Sequence, residues 1–217
     1  MDFDAARRNM VDSQIRPNDV TDPDIVAAFL KTPREIFTPK SKMSLAYSEL
    51  EIETSDGRWL WRPRDFAKLL EAADPKPDDI ALVIGAGAGY EAAVAGELVE
   101  TVIGLESDAH LVDRATERLS EIGLERVVFV EGALEEGLAS QGPFDLILVN
   151  GMVATVPQAW TDQLAEGGRL AVVVQADRDL GKARIMTRAG DVVSSRTAFD
   201  ATPPRWPAFD PKPAFSF

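Results

Sequence analysis

The sequence contains no cysteine and a single histidine, His110. The first absence removes disulfides, thiolate metal sites and cysteine nucleophiles together. The second leaves one imidazole for any mechanism that needs one, and no His-rich metal site, so no metal centre is expected. Positive charge is also scarce: 23 Lys and Arg stand against 36 Asp and Glu, for a net charge of −13. A chain this acidic repels phosphate backbones. Its densest basic run, Arg58, Arg62 and Arg64, is too small for a duplex groove, and no nucleic-acid partner is expected. No apolar stretch approaches the length that crosses a bilayer, so no membrane association is expected either. Residues 1–11 carry Arg7 and Arg8 without the apolar run of a secretory signal. Together with the missing cysteine, this makes a cytoplasmic protein the expectation.

What is present suits one globular domain over residues 1–217, with a hydrophobic fraction of 45%. Three parts are expected within it: a helical N-terminal cap over 1–75, a core over 79–200, and a tail over 202–217. In the cap, Ile25, Val26, Phe29 and Leu30 follow a helical period, and Thr32-Pro33 stops that helix. A second short helix begins at Pro63 and ends near Asp74-Pro75. The core alternates strand and helix. Apolar runs at 80–84, 101–105, 127–130, 144–149 and 170–174 read as buried strands, with helices over 91–98 and 108–122 between them. Runs without polar alternation imply strands covered on both faces, hence a mostly parallel sheet in an α/β, Rossmann-like layer order. Residues 183–186 and 192–199 read as edge strands joined at Gly190-Asp191, which brings the sheet to seven strands. The tail carries five prolines and the aromatics Trp206, Phe209, Phe215 and Phe217. It cannot be helical, and its apolar area is expected to pack across the domain.

Gly85-Ala86-Gly87-Ala88-Gly89 closes the first core strand and opens a helix. Glycine there lets the backbone turn sharply and approach a ligand, beside the free N–H groups of a helix start. A dinucleotide fingerprint needs glycine at position 90, where Tyr90 stands, which disfavours a nicotinamide oxidoreductase. Glu106 ends the next strand, where a carboxylate can accept both hydroxyls of a ribose. The loop and the acid together indicate an adenosine-type cofactor.

The amino-terminal third carries a resemblance. Residues 8–16, then Val20 and Asp22, then Pro33-Arg34-Glu35-Ile36-Phe37-Thr38-Pro39, then Ala46-Tyr47-Ser48, resemble the signature of the protein-L-isoaspartate O-methyltransferases in order and spacing. The likeness continues through Gly89-Tyr90-Glu91-Ala92-Ala93, Phe144-Asp145-Leu146-Ile147 and Gly167-Gly168, and covers about residues 5–175. It implies a Rossmann-like S-adenosylmethionine-dependent methyltransferase fold. It also implies carboxyl methylation, for repair, of isoaspartyl residues in damaged proteins or peptides, or of another acidic substrate. The cofactor would be S-adenosylmethionine (SAM), held by Gly85, Ala86, Gly87, Gly89, Glu106 and the position of Ala133.

The chain is a divergent member by this measure. The family's Gly-Gln-Thr-Ile-Ser-x-Pro-His segment aligns with residues 57–64, so its serine falls on Trp61 and its threonine on Trp59, with Arg62 and Arg64 nearby. Two expected cofactor acids fall on Val83 and Ala133. No catalytic residue is assigned, and weakened SAM binding with low or altered activity is expected. A non-catalytic or altered-substrate binding protein on the same scaffold is the alternative. Trp59 and Trp61 are either core residues, with Arg58 and Arg62 outward, or they reshape or plug the substrate pocket while the arginines meet a different anion. His110, Glu135 and Glu136 read as surface residues, and Asn150 as either a turn residue beside Gly151 or a substrate contact at a strand end.

Overall fold

The computed structural model describes residues 1–55, 57–177 and 180–210. Helices α1 (Phe3–Met10), α2 (Pro23–Lys31) and α3 (Arg34–Phe37) precede a hairpin of β1 (Ile52–Ser55) and β2 (Arg58–Leu60), then α4 (Pro63–Ala73). The core follows as β3 (Ile80–Ile84), α5 (Tyr90–Gly96), β4 (Thr101–Glu106), α6 (Ala109–Ile122) and β5 (Val127–Glu131). It continues with β6 (Phe144–Val153), α7 (Gln158–Asp162), β7 (Leu164–Asp177), β8 (Leu180–Ala189) and β9 (Val192–Ala201).

Local chemistry sets the helix ends. Asp22 caps α2 by accepting from the amides of Asp24 and Ile25, with Pro23 pre-set at the first helical position. Asp108 caps α6 through the amide of His110, and Gly123 ends it in the left-handed region.

The main sheet has the order β5-β4-β3-β6-β7-β8-β9. Its first five members run parallel, while β8 and β9 are antiparallel. The chain therefore builds outward from β3 in one direction and then returns to β3's other side with β6. That switch point leaves a crevice at the carboxyl ends of β3 and β6. Alternate residues of the strands enter two cores. Ala81, Val83 and Val102 meet the helices of the amino-terminal part, α4 and α5. Leu82, Ile84, Ile103 and Leu105 face Phe144, Trp160, Trp206 and Phe209. This second face has little helix to cover it, and the tail supplies part of the cover.

All five expected parallel strands are present, as are the two edge strands and their Gly190-Asp191 turn. The β1–β2 hairpin corrects the expectation of helices and turns alone over 1–75. Its strands are too short to show a period, and Gly57 (φ 66°) makes the turn between them. Of the tail, Trp206 and Phe209 are buried. Pro211, Pro213, Phe215 and Phe217 lie outside the described residues.

One side chain ties four elements together at the amino ends of the core strands. Arg169 of β7 donates to the carbonyls of Ala73, Asp74 and Asp145 and grips both oxygens of the buried Asp79 carboxylate (3.1 and 2.6 Å). Arg169→Ala should cost about 3 kcal/mol, because it strands a buried carboxylate. Arg169→Lys should recover little, since an ammonium lacks the planar fork. Denaturant unfolding of both variants checks this.

Candidate functional site

The crevice at the switch point is built from the loop after β3. Gly85 and Ala86 donate their amides to the carbonyl of Leu105, which holds the loop against β4. Gly85 has φ of 70°, a conformation that favours glycine. The adjoining end of β4 carries Glu106, whose residue is 1% exposed. Its Oε2 accepts the Gly87 amide (3.0 Å), and its Oε1 accepts the Ser107 amide (2.6 Å). The glycine loop and the acid thus form one constellation through a direct hydrogen bond.

Glu106 also holds a cation. Arg58 of β2 binds it with both edges of the guanidinium, Nε to Oε2 at 2.8 Å and Nη2 to Oε1 at 2.7 Å. The aliphatic part of Arg58 lies along Gly87. Burial alone raises the carboxyl pKa. The Arg58 hydrogen bonds and charge, with the amides of Ser107 and Gly87, outweigh it and hold the group below its ordinary value of 4.5.

A third group closes the crevice from the tail. After β9 the chain turns back beside the carboxyl end of β6. Met152 donates to the Pro204 carbonyl (3.0 Å), and Trp206 donates to the Met152 carbonyl (2.8 Å). This short parallel pairing sets the Trp206 indole across Gly85 and Gly151. A Cβ at Gly85 would lie 2.0 Å from the ring, and one at Gly151 would lie 2.5 Å from it. The indole also lies near Arg58, whose guanidinium carbon is 5.7 Å from the ring centroid. Phe209 packs between Trp206 and Trp160, at 5.6 and 5.3 Å. Beside the indole a cleft of about 380 Å³ remains, lined by Ser107, Ala133, Leu134, Trp206 and Phe209 among others.

The segment 57–64 is anchored from two sides. The Trp61 amide donates to Glu91 Oε1 (3.1 Å), and Arg34 donates to the Trp61 carbonyl (2.6 Å). Glu91 is wholly buried; burial raises its pKa, with the Arg34 charge and the Trp61 amide opposing. Asn150 reaches the Gly85 carbonyl (3.1 Å) and Glu91 (3.4 Å), and so links β6 to the loop and to α5.

Several expected site residues are placed elsewhere. Trp61 is 1% exposed and packs on Phe66 in the core. Arg62 pairs with Glu51 (2.8 Å), and Arg64 pairs with Glu49 (2.6 Å) and Asp65. Gly85, Ala86, Gly87, Gly89 and Glu106 lie together at the switch point, and Ala133 lines the open cleft. Val83 is fully buried in β3. His110, Glu135 and Glu136 are exposed. Asn150 is not a turn residue, because β6 runs on through Val153. Two residues at the centre of the crevice were only partly legible: Arg58, expected either to point outward or to meet an anion, and Trp206, expected only to pack. Their signals were slight, namely a cation next to Gly57 in the segment aligned with the family's closing loop, and an indole among prolines.

The family model for protein-L-isoaspartate(D-aspartate) O-methyltransferase matches residues 5–199. The chain belongs to this family. A protein-L-isoaspartate O-methyltransferase of Methanoculleus marisnigri is 32% identical over 195 residues, covering 88% of this chain and 89% of that one. One of Koribacter versatilis is 36% identical over 172 residues, covering 79% and 78%. A solved protein-L-isoaspartate O-methyltransferase superposes with a TM-score of 0.80 at 26% identity, covering 92% of this chain and 65% of that chain's length. A Plasmodium falciparum structure in complex with S-adenosyl-L-homocysteine shares the fold, with a TM-score of 0.77 at 19% identity and coverage of 94% and 97%.

The family uses SAM. Glu106 has the position and geometry of a diol acceptor, but Arg58 occupies both its oxygens. The backbone of Gly85 faces an indole. As arranged here, the crevice does not fit the ribose and amino-acid portions of the cofactor.

The lowered Glu106 pKa makes the ion pair sensitive to acid. A carboxylate depressed in the folded state stabilises above its unfolded pKa and loses that contribution as pH falls through the folded value. The stability lost in Glu106→Gln should therefore be full above about 4.5 and shrink as pH falls below it. Denaturant unfolding of both proteins between about pH 3 and pH 7 checks this; a constant difference contradicts it.

Proposed function

We propose that this chain transfers a methyl group from SAM to the side-group carboxylate of isoaspartyl residues in damaged proteins or peptides. The observation that carries the reading is the Gly87–Glu106 hydrogen bond, which joins the glycine loop and the ribose-type acid, within a chain matched to the family over residues 5–199. Gly85, Ala86, Gly87, Gly89, Glu106 and Ala133 are the proposed cofactor residues.

The chemistry asks little of titrating side chains. A carboxylate with a pKa near ~4 is ionised at neutral pH, so its oxygen is already nucleophilic and no base is needed. His110, exposed at the start of α6, has no role in this reading. What the protein must do is align the reacting atoms and exclude water. Arg58 is the cation of the closing segment, and a guanidinium matches a carboxylate in the bidentate manner it already shows on Glu106. The net charge of −13 argues against nucleic acid as a partner. Among the described residues no helix is long and apolar enough to cross a membrane. The same proposal places the chain in the cytoplasm, which the absence of cysteine suits.

The test is methyl transfer from labelled SAM to a short isoaspartyl peptide and to its aspartyl isomer. A base-labile ester on the isoaspartyl peptide alone is expected. Glu106→Ala should raise the KM for SAM at least about tenfold, the loss of hydrogen bonds to a charged acceptor being ~1.5–3 kcal/mol. No ester on either peptide at saturating SAM would refute the reading.

A further inference from the structure

We propose that residues 204–210 form an intramolecular strap that occupies the cofactor crevice, with Trp206 and Arg58 standing where SAM would lie, so that the cofactor enters only when the strap is displaced. The inference rests on the reading of the crevice as a SAM site.

Three observations carry it. First, the occupancy is chemically matched. A ribose would offer Glu106 two neighbouring donors, and Arg58 offers two neighbouring N–H groups to the same two oxygens. A ligand beside the glycine loop would need close backbone approach, and the indole makes that approach at Gly85 and at Gly151. Second, the strap is held as an added strand. Both backbone bonds go to Met152, at the one place where β6 extends past the crevice. The β3–β6 pairing ends at Ile84 and Val149, while Met152 and Val153 still pair with Val173 and Val174 of β7, so the β3-facing edge of this extension is left for the strap. The strap then closes on itself through the turn at Pro207–Phe209 and a bond from Arg205 to Asp210 (3.0 Å). Pro203, Pro204 and Pro207 restrict the free chain and lower the entropy lost on docking. Third, the closure is incomplete. The cleft at Ser107, Ala133 and Leu134 stays open next to the indole. A purine-bearing ligand has a place to land before the strap leaves.

A strap of this kind is a competitor in cis. It lowers the apparent affinity for SAM by the fraction of molecules in which the crevice is open. Phe209 matters as well as Trp206, because it wedges the strap against Trp160.

Titration calorimetry with S-adenosylhomocysteine is the test, on the full chain and on Trp206→Ala and Phe209→Ala. Amide exchange of the unmodified chain, with and without saturating S-adenosylhomocysteine, accompanies it. At least tenfold tighter binding by both variants is expected, with faster exchange of the Trp206 amide when ligand is present. Equal affinity in all three proteins with unchanged Trp206 exchange overturns the strap and leaves the SAM reading standing. No heat from any of the three overturns both. If the variants do not fold, the exchange result decides: release of the Trp206 amide supports the strap, and unchanged protection refutes it.

Discussion

A carboxylate buried at the end of β4 must be neutralised, and the architecture of the crevice follows from that need. Glu106 is almost without solvent access. Left unpaired, such a charge destabilises a fold by several kcal/mol, on the order of 3–5. Two of its partners are backbone amides, from the glycine loop and from Ser107, and the Ser107 hydroxyl adds a third. The remaining capacity is taken by Arg58. The hairpin that carries Arg58 is therefore pulled onto the glycine loop, and the aliphatic part of Arg58 settles on Gly87. Trp206 then covers the guanidinium. A residue suited to two vicinal hydroxyls is equally suited to one guanidinium, and the choice between them separates a closed crevice from an open one.

The tail reaches that position because of the sheet. The face of β3, β6 and β7 that carries Leu82, Ile84, Val149 and Val172 has only the short α7 and a few turns over it. Apolar surface of that extent favours any nearby segment able to cover it. The tail follows β9, the outermost strand, and runs back across this face. The extra length of β6 beyond Asn150 gives it unpaired backbone groups to join, which is strand addition within one chain. Asn150 and Gly151 thus serve different ends: one ties the loop to α5, and the other leaves room for an indole.

Most of the sheet was legible in the sequence, because strands buried on both faces appear as unbroken apolar runs. Helix ends were legible where a proline stood before an amphipathic period, as at Pro63. The hairpin was not, since three- and four-residue strands carry no period. Within the site, Glu106 and the glycines were readable because position along a β–α unit fixes what they can reach. Trp61 read either as a core residue or as a plug of the substrate pocket; it is buried, and its indole packs on Phe66 in the core. Trp206 depends on a contact between chain positions 55 and 121 residues apart in sequence, with Gly151 and Gly85, and no local pattern encodes such a meeting.

The distribution of indoles has an optical consequence. Trp61, Trp160 and Trp206 are all buried, while Trp59 is half-buried on the hairpin. Trp61 and Trp160 are built into secondary structure or its immediate flank, so their surroundings change only when the fold itself opens. Trp206 is attached through a strap and lies beside a guanidinium. Its emission would shift to longer wavelength on entering water, against a nearly constant background from the others. The chain carries an intrinsic fluorophore at the mouth of its own crevice, and the state of that crevice is readable in solution without a label.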